Sequence, residues 1–571
     1  MKMKRKLLLG AEAIAQGALD AGISGVYAYP GTPSTEITEF IQRAQRDPGK
    51  AVRSAWSTNE KTALEAALGM SYAGKRSLVC MKHVGLNVAA DPFMNASITG
   101  VHGGLTIVVA DDPSMHSSQN EQDSRVYGKF AMIPVLEPAN QQEAYEMTRY
   151  AFEMSEKSRL PVMLRVPTRL SHSRSTVKRG EPKGQNPLNP STGKGQWVLL
   201  PANARGNYQR LLEKQEELVA LAESSPFNWV KEWNEGETDH DRETDPVGTS
   251  NRDGKTDQGG TTTQVSNDII DGVTNGITGV IAFGIGYNYV MEVIRAYNLP
   301  VEVLKIGTYP LPRNLVSRFI EKHNTLLIVE EGYPVYEELL KGCRGDDALR
   351  GRLDGTLPRT GELSPGLLAK ALGVETAEPN AMPAIVKGRP PMLCPGCGHR
   401  DLFHALNEVM TSYPNHRVFG DIGCYTLGAL PPFNAIHTCV DMGAAITMAK
   451  GAADAGMRPA LCVIGDSTFT HSGITGLLDA VNDRSPLTVI ISDNETTAMT
   501  GGQDSAGTGR FHDICRGIGV EEKHIRTVVP LKRNHEENVK VIREELEYEG
   551  VSVIIAQREC VQTAKRKRKK E

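Results

Sequence analysis

Short apolar runs alternate with amphipathic helical segments along the first part of the chain. Four runs have the length and composition of buried strands: Gly25–Tyr29, Ser77–Met81, Leu105–Ala110 and Pro161–Val166. Between them, apolar residues recur with helical spacing over Ala11–Ala21, Lys61–Tyr72 and Gln141–Glu153. Buried strands separated by helices are typical of a parallel sheet that is covered on both faces. We therefore predict a doubly wound α/β domain over residues 1–170.

Further domains are expected because a chain of 571 residues is too long for a single hydrophobic core. Strands predicted at Gly279–Phe283, Val301–Ile306 and Thr325–Val329 indicate a small α/β domain over residues 269–345. Strands predicted at Arg417–Gly420, Ala460–Ile464, Leu487–Ser492 and Val551–Ala556 indicate a larger one over residues 390–560. The remaining segments are predicted to be a connector (171–268), a linker (346–389) and a basic tail (561–571). Within the connector, the insert 234–267 is too polar to fold, and we expect it to be disordered.

Charge and composition argue against several classes of protein. A formal net charge of −4 gives no electrostatic reason to expect a nucleic-acid partner. No apolar run approaches the length of a membrane span, and the basic N-terminus is interrupted by Glu12 before it resembles a signal peptide. The nine cysteines are an odd, unevenly spaced set, unlike a secreted disulfide framework. We expect a cytoplasmic protein that has no membrane partner.

Two polar residues follow neighbouring strands predicted in the last domain. Asp466 comes just after Ala460–Ile464, and Asn494 comes just after Leu487–Ser492. The carboxyl ends of parallel strands form the ligand-binding edge of an open sheet. A carboxylate and an amide oxygen suit Mg²⁺, which completes its shell with diphosphate oxygens and water. The alternative is that Asp466 caps a helix and Asn494 lies in a turn, and these residues alone favour neither interpretation.

The segment from Val463 to Gln503 resembles the diphosphate motif of thiamine-diphosphate enzymes, although Ser467 replaces the motif's third glycine. The segment reads VIGDSTFTHSGITGLLDAVNDRSPLTVIISDNETTAMTGGQ. This sequence is similar to that of the large subunit of 2-oxoacid:ferredoxin oxidoreductases of the indolepyruvate type. The resemblance implies that Asp466, Asn494 and the Thr496 carbonyl hold Mg²⁺. It also implies further contacts with thiamine diphosphate, from Gly465, Ser467, Met499 and Gly501. In fold, it implies a pyrimidine-binding domain (1–170), a transketolase C-terminal-like domain (269–345) and a diphosphate-binding domain (390–560).

The first domain carries the other segments of the resemblance. Residues 58–74 are similar to the segment that supplies the carboxylate on the aminopyrimidine ring, which makes Glu60 the candidate. A helix N-terminal acid is the alternative. Two segments look like those that line the thiazolium end of the cofactor in this family. They are YPGTPSTEI, which contains Gly31 and Thr32, and MKHVGLNVAADP, which contains His83. We expect Thr32 to bind the 2-oxoacid and His83 to donate or shuttle a proton, unless His83 is only a hydrogen-bonded surface group. Pyruvate-using relatives carry an arginine where this chain reads VVADDP, which leaves the partner of the substrate carboxylate open and makes pyruvate the poorer candidate.

Four cysteines form the remaining constellation. Cys394 and Cys397 have CxxC spacing on a Pro/Gly turn, which suits zinc, an iron–sulfur cluster or a redox pair. The resemblance implies that both, together with Cys424 and Cys560, hold a [4Fe–4S] cluster. Cys462, inside an apolar run, is predicted to be a buried hydrophobic residue instead.

The resemblance implies oxidative decarboxylation of an aryl 2-oxoacid, with CoA as acyl acceptor and ferredoxin as electron acceptor. It also implies a small (beta) subunit and a hetero-oligomer. Related large subunits usually continue into a ferredoxin-like domain, whereas this sequence ends in six basic residues, Lys565–Lys570, before Glu571. We expect electrons to leave the cluster directly for a partner or for ferredoxin, with the tail either steering an acidic carrier or lying disordered in solvent. Alternatives are a non-oxidative thiamine decarboxylase and a non-catalytic assembly subunit.

Overall fold

The computed structural model describes residues 5–44, 52–189, 197–232, 274–342, 348–374, 383, 385–388, 391–413 and 416–568. The chain divides into two compact units, residues 1–380 and 381–571, so that the division falls inside the predicted linker 346–389. The insert 234–267, predicted to be disordered, lies outside the described residues.

Unit 1 contains the first fourteen strands of the described chain. They are β1 (Arg5–Leu9), β2 (Gly25–Ala28), β3 (Arg53–Trp56), β4 (Ser77–Lys82), β5 (Leu105–Asp111), β6 (Val135–Leu136), β7 (Val162–Pro167), β8 (Arg174–Lys178), β9 (Trp229–Lys231), β10 (Gly279–Phe283), β11 (Glu302–Ile306), β12 (Thr308–Tyr309), β13 (Leu326–Val329) and β14 (Leu349–Arg350). The α-helices are Gly10–Asp20, Thr35–Ala44, Glu60–Tyr72, His83–Val88, Ala90–Thr99, Arg125–Ala131, Gln141–Ser158, Thr168–His172, Pro201–Glu223, Gly286–Tyr297, Arg313–Lys322, Val335–Lys341 and Pro365–Ala371.

Two mostly parallel sheets form the framework of unit 1. The larger has the order β12-β6-β7-β5-β4-β2-β3, in which only the β12–β6 pair is antiparallel. The smaller has the order β14-β13-β10-β11-β9, with β9 antiparallel. All residues of β4 and β5 are buried, as expected for central strands with helices on both faces. The predicted doubly wound α/β fold is confirmed.

A fully buried network of charged side chains joins strands of both sheets in unit 1. Arg165, on β7, donates to Asp111 at 2.7 Å and also to Glu137. Arg125 lies 2.8 Å from Glu330, which follows β13 of the smaller sheet. Burial raises the pKa of the Glu330 carboxyl to about 7, although Arg125 opposes the shift. Because these charges are out of water, each depends on its partners for stabilisation.

We expect Arg165→Met to destabilise the protein by roughly 3–5 kcal/mol, since it leaves Asp111 buried without its guanidinium partner and Glu137 with only the longer contact to Arg125. Arg169→Met is the matched control, because the Arg169 side chain is 39% exposed and its pair with Glu362 is near the surface. The control should cost no more than about 1 kcal/mol. Chemical denaturation followed by circular dichroism measures both, and equal losses would contradict the structural role of the network.

Unit 2 contains the remaining seven strands of the described chain. They are β15 (Val418–Gly420), β16 (Leu461–Gly465), β17 (Leu487–Asp493), β18 (Thr496–Thr497), β19 (Gln503–Asp504), β20 (Ile525–Val528) and β21 (Val551–Gln557). The α-helices are Gly398–Met410, Ala444–Asp454, Asp466–Thr468, Ile474–Asp483, Phe511–Ile518, His535–Leu546 and Val561–Arg568. The main sheet is parallel throughout, in the order β15-β16-β17-β21-β20, and β18 pairs with β19 in a hairpin.

The C-terminal residues differ from one of the two sequence-based interpretations. Val561–Arg568 is helical, Arg566 donates to the Gly501 carbonyl, and Lys567 lies 2.6 Å from Glu559. Within the described residues, the tail is therefore a helix that is held by these contacts. Across the described ranges, no helix combines the length and apolar character that a membrane crossing requires.

Candidate functional site

The carboxyl edge of the unit 2 sheet brings Asp466 and Asn494 together. Gly465, the last residue of β16, pairs with Ser492 on β17, so the residues that follow emerge side by side. Asp466 Oδ2 and Asn494 Oδ1 both accept from the Thr496 backbone N–H, at 3.1 and 3.2 Å. The two side-chain oxygens therefore converge, as a shared cation would require.

The electrostatics of Asp466 fit a cation site. Burial raises the pKa of the Asp466 carboxyl to about 7, and the nearby carboxylate of Asp493 adds to the increase. A divalent cation between Asp466 and Asn494 would offset both effects, because it favours the ionised carboxylate. The residues present therefore fit Mg²⁺ with a diphosphate.

The other predicted diphosphate residues lie around this edge. The Ser467 hydroxyl accepts a hydrogen bond from the Thr497 hydroxyl at 3.1 Å. Gly501 has a φ of 130°, a backbone conformation that residues other than glycine rarely adopt. Met499 is 62% exposed, the only one of these side chains that is mostly in solvent. Thr496 is buried at the start of β18, so its backbone is held beside Asp466 and Asn494.

The four predicted cluster cysteines line one cavity of about 120 Å³ in unit 2. Cys394 and Cys397 lie on a turn in which Gly396 has a φ of 78° and the Cys397 N–H donates to the Cys394 carbonyl at 3.1 Å. Cys560 follows β21, and its N–H donates to the carbonyl of Asn494 at 3.1 Å. The cavity is also lined by Asn494, so the thiols and the predicted metal ligand share one edge of the sheet.

Repulsion between neighbouring thiolates disfavours the ionisation of two of these cysteines. Burial raises the pKa of Cys424 to about 12, and its three partner cysteines contribute to the shift. Burial also raises the pKa of Cys397, with further contributions from Cys394 and Cys560. Bound iron would offset these effects by stabilising thiolates. Cys462 is fully buried within β16, away from this cavity, as predicted.

Nowhere in the described ranges do three or more His, Cys, Asp or Glu side chains converge as ligands of one ion. The magnesium interpretation requires only one side chain of these types, because an amide and a carbonyl complete the protein ligands. Within the described chain, the four cysteines that line the cavity are accordingly not arranged as ligands that converge on one ion.

His399 connects the cysteine turn to the diphosphate edge, a role that the sequence analysis did not identify. The ring is buried, which lowers its pKa to about 4. Its Nδ1 lies 2.7 Å from the Ser492 hydroxyl, and its Nε2 lies 3.4 Å from Asn494 Nδ2. When the proton of the neutral ring is on Nδ1, Nε2 accepts from Asn494 Nδ2, which leaves Asn494 Oδ1 to accept from the Thr496 N–H.

In unit 1, Glu60 begins the helix Glu60–Tyr72 at the carboxyl edge of the larger sheet. Asn59 caps this helix by accepting from the Thr62 N–H at 2.9 Å, which positions Glu60 in the first turn. The Glu60 side chain is 5% exposed and lies over Gly85. A Cβ added to Gly85 would be 2.4 Å from Oε1 of Glu60. The burial of this carboxylate and the space left by glycine distinguish it from an ordinary helix N-terminal acid.

His83, two residues before Gly85, begins the next helix. It is buried, so the interpretation as a surface group is wrong. Its Nε2 lies 3.1 Å from the Asn120 carbonyl, whereas Nδ1 is buried with no hydrogen-bond partner among the described residues. An orphaned buried ring nitrogen is costly, and it fits a position where a ligand supplies the partner.

Lys82, the last residue of β4, adds a cation that the sequence analysis overlooked. It is buried, and its Nζ donates to the Ser117 carbonyl at 2.6 Å. The Ser117 hydroxyl lies 3.5 Å from the carbonyl of Thr32, whose own side chain is partly exposed. Gly31 lies close to Lys82, because a Cβ added to this glycine would be 3.5 Å from the Cβ of Lys82. Gly31, Thr32 and the MKHVG segment therefore meet at one edge, while Lys82 was missed because lysine is usually a surface residue.

Two protein families match the chain. The family described as pyruvate flavodoxin/ferredoxin oxidoreductase, thiamine diphosphate-binding, matches residues 16–194. The family described as thiamine pyrophosphate enzyme, C-terminal TPP binding domain, matches residues 421–556. The two matches contain the residues placed at the edges of unit 1 and unit 2, except Cys394, Cys397, His399 and Cys560. A solved 2-oxoglutarate:ferredoxin oxidoreductase from Magnetococcus marinus aligns over 64% of each chain at 15% identity, with a TM-score of 0.47, too loosely to bear on function.

Curated relatives match nearly the whole chain. Indolepyruvate oxidoreductase subunit IorA from Archaeoglobus fulgidus is 38% identical over 100% of this chain and 88% of its own length. The subunit of the same name from Thermococcus kodakarensis is 38% identical over 98% of this chain and 86% of its length. The subunit of the same name from Methanothermobacter marburgensis is 37% identical over 98% of this chain and 87% of its own length. This chain therefore belongs to the indolepyruvate oxidoreductase IorA family, and is a thiamine-diphosphate-dependent 2-oxoacid oxidoreductase.

Proposed function

We propose that the chain catalyses oxidative decarboxylation of an aryl 2-oxoacid of the indolepyruvate type, with CoA as acyl acceptor and ferredoxin as electron acceptor. The observation that carries the proposal is in unit 2, where Asp466 and Asn494 converge at the sheet edge and Asn494 also lines the cavity of the four cysteines. A metal-diphosphate site beside a thiol-lined cavity suits a reaction in which decarboxylation is coupled to electron transfer.

Candidate cofactor contacts are proposed within each unit separately. Asp466, Asn494 and the Thr496 carbonyl are proposed to hold Mg²⁺, and Gly465, Ser467, Met499 and Gly501 are proposed to contact the diphosphate. Bound thiamine diphosphate supplies the nucleophilic carbon and the electron sink that decarboxylation needs. The Glu60 carboxyl is proposed to share a proton with the aminopyrimidine ring. His83 Nδ1 and the Thr32 hydroxyl are proposed to hydrogen-bond the substrate.

Electron transfer is assigned to the cysteine cavity. Cys394, Cys397, Cys424 and Cys560 are proposed to ligate a [4Fe–4S] cluster, which accepts electrons singly. The basic helix Val561–Arg568 follows Cys560 directly, and its charge suits an acidic carrier such as ferredoxin. The relatives are named as subunits, and we propose that this chain likewise assembles with a small beta subunit into a hetero-oligomer.

Substrate preference tests the proposal. The complex of this chain with its small subunit, prepared anaerobically, is assayed with CoA and a viologen acceptor on indolepyruvate, phenylpyruvate and pyruvate. We expect kcat/KM for the aryl 2-oxoacids to exceed that for pyruvate by about tenfold or more, as differential binding of an apolar side chain allows. A preference for pyruvate would contradict the aryl assignment. Release of aldehyde without reduction of the acceptor would favour a non-oxidative decarboxylase.

A further inference from the structure

Lys82 is a buried cation at the ligand edge of unit 1, and the roles assigned above do not use it. It is 8% exposed at the end of β4, directly before His83. Its Nζ donates to the Ser117 carbonyl at 2.6 Å and to the Ser117 hydroxyl at 3.3 Å. An ammonium has three N–H donors, so within the described chain one of them is available to a ligand.

Asp112 is the acid nearest to Lys82, but it is not a close partner. The distance from Lys82 Nζ to Asp112 Oδ2 is 4.0 Å. The Asp112 carboxylate already accepts from the Ser117 N–H at 2.8 Å, from the Ser118 hydroxyl and from Thr168 Oγ1 at 2.8 Å. It is therefore satisfied without the lysine, whereas the ion pair of the lysine with Asp112, at 4.0 Å, is a long one.

Burial lowers the pKa of Lys82 to about 8, and Asp112 opposes this shift only in part. Keeping a cation in such a place costs free energy unless an anion compensates for the lost hydration. Groups whose pKa is shifted by burial are enriched at functional sites, and a buried cation suits an anionic ligand.

Lys82 lies beside the stretch VVADDP, at which pyruvate-using relatives carry an arginine and this chain does not. Lys82 pairs in register with Ala110 on β5, two residues before Asp112 in the sequence VVADDP. Ser117, which contacts the ammonium, also reaches the carbonyl of Thr32. The cation therefore lies on the strand next to VVADDP, and it shares the neighbour Ser117 with the backbone of the proposed substrate-binding threonine.

We propose that Lys82 binds the carboxylate of the 2-oxoacid substrate. The inference rests on the proposed function and extends it to the group that all 2-oxoacids share. The free N–H of Lys82 donates to a carboxylate oxygen, while Thr32 and His83 are left for the keto group. Selection of an aryl side chain must then come from other residues, since this contact does not distinguish one 2-oxoacid from another.

The test compares Lys82→Met with Lys82→Arg in the assembled complex. We expect Lys82→Met to raise KM for indolepyruvate about 10- to 100-fold, the effect of losing one charge-assisted hydrogen bond. Lys82→Arg should raise KM less than Lys82→Met does, because the guanidinium retains the charge and the donors although it is larger than the ammonium. Lys75→Met is the matched control, since Lys75 lies two residues before the start of β4, bound to the Asn186 carbonyl at 2.6 Å, and should leave KM unchanged.

Exchange of the thiazolium C2 proton with deuterium separates substrate binding from cofactor activation, because it needs no substrate. We expect the exchange rate to be unchanged in Lys82→Met and slowed in Glu60→Gln. An unchanged KM in Lys82→Met, or an equal increase in Lys82→Arg, would overturn the assignment of Lys82 alone. So would slowed exchange in Lys82→Met, which would indicate a structural role. A wild-type complex that oxidises no 2-oxoacid would overturn the proposed function, and this inference with it.

Discussion

Glu60→Gln is expected to retain thiamine diphosphate and Mg²⁺ but to lower kcat by about 10²–10⁴-fold, the usual contribution of a positioned acid or base. Glutamine has the same shape as glutamate, so it keeps the packing over Gly85, but it cannot exchange a proton. The measurement is steady-state turnover of the complex, together with its cofactor content after desalting.

Two further variants complete this prediction. Asp466→Ala should lose the cofactor itself, because it removes the carboxylate that converges with Asn494 on the Thr496 N–H. Glu65→Gln is the control, since Glu65 lies on the same helix as Glu60 but is 46% exposed and pairs with Lys61. Its turnover should equal that of wild type. Full activity in Glu60→Gln would show that the activating acid is another residue.

Cys560→Ala is expected to remove the broad visible absorbance of the complex and to stop ferredoxin reduction. A stable [4Fe–4S] cluster needs four protein ligands, and the Cys560 backbone is fixed beside the cavity by its hydrogen bond to the Asn494 carbonyl. Cys462→Ala should change neither property, because Cys462 is fully buried within β16 and does not line the cavity. Iron content and the absorption spectrum of anaerobically purified protein provide the measurement.

The metal found in this experiment decides between mechanisms. Protein that contains zinc, or no metal besides Mg²⁺, would exclude electron transfer through the cysteines. Aldehyde release that survives in Cys560→Ala would then support the non-oxidative decarboxylase, which needs Glu60 and Asp466 but no cluster.

Several elements near the site were predicted to within a few residues. The strand predicted at Leu487–Ser492 is Leu487–Asp493, and the one predicted at Val551–Ala556 is Val551–Gln557. Both are buried, continuous apolar runs, and such runs identify central parallel strands with little help from context. β20 (Ile525–Val528) was missed because Arg526 and Thr527 are partly or fully exposed on this edge strand, which breaks the apolar run.

By itself, the sequence determined the parallel α/β architecture and the positions of Glu60, Asp466 and Asn494 at strand and helix ends. These follow from local patterns, since the end of an apolar run marks the ligand edge of a sheet. Only the tertiary structure decided that Cys560 joins the cavity of Cys394, because this depends on β21 pairing with β17. It also decided that Lys82 and His399 are buried among ligand-edge residues. The burial of a polar side chain depends on segments distant in the chain that cover it, and no local pattern records them.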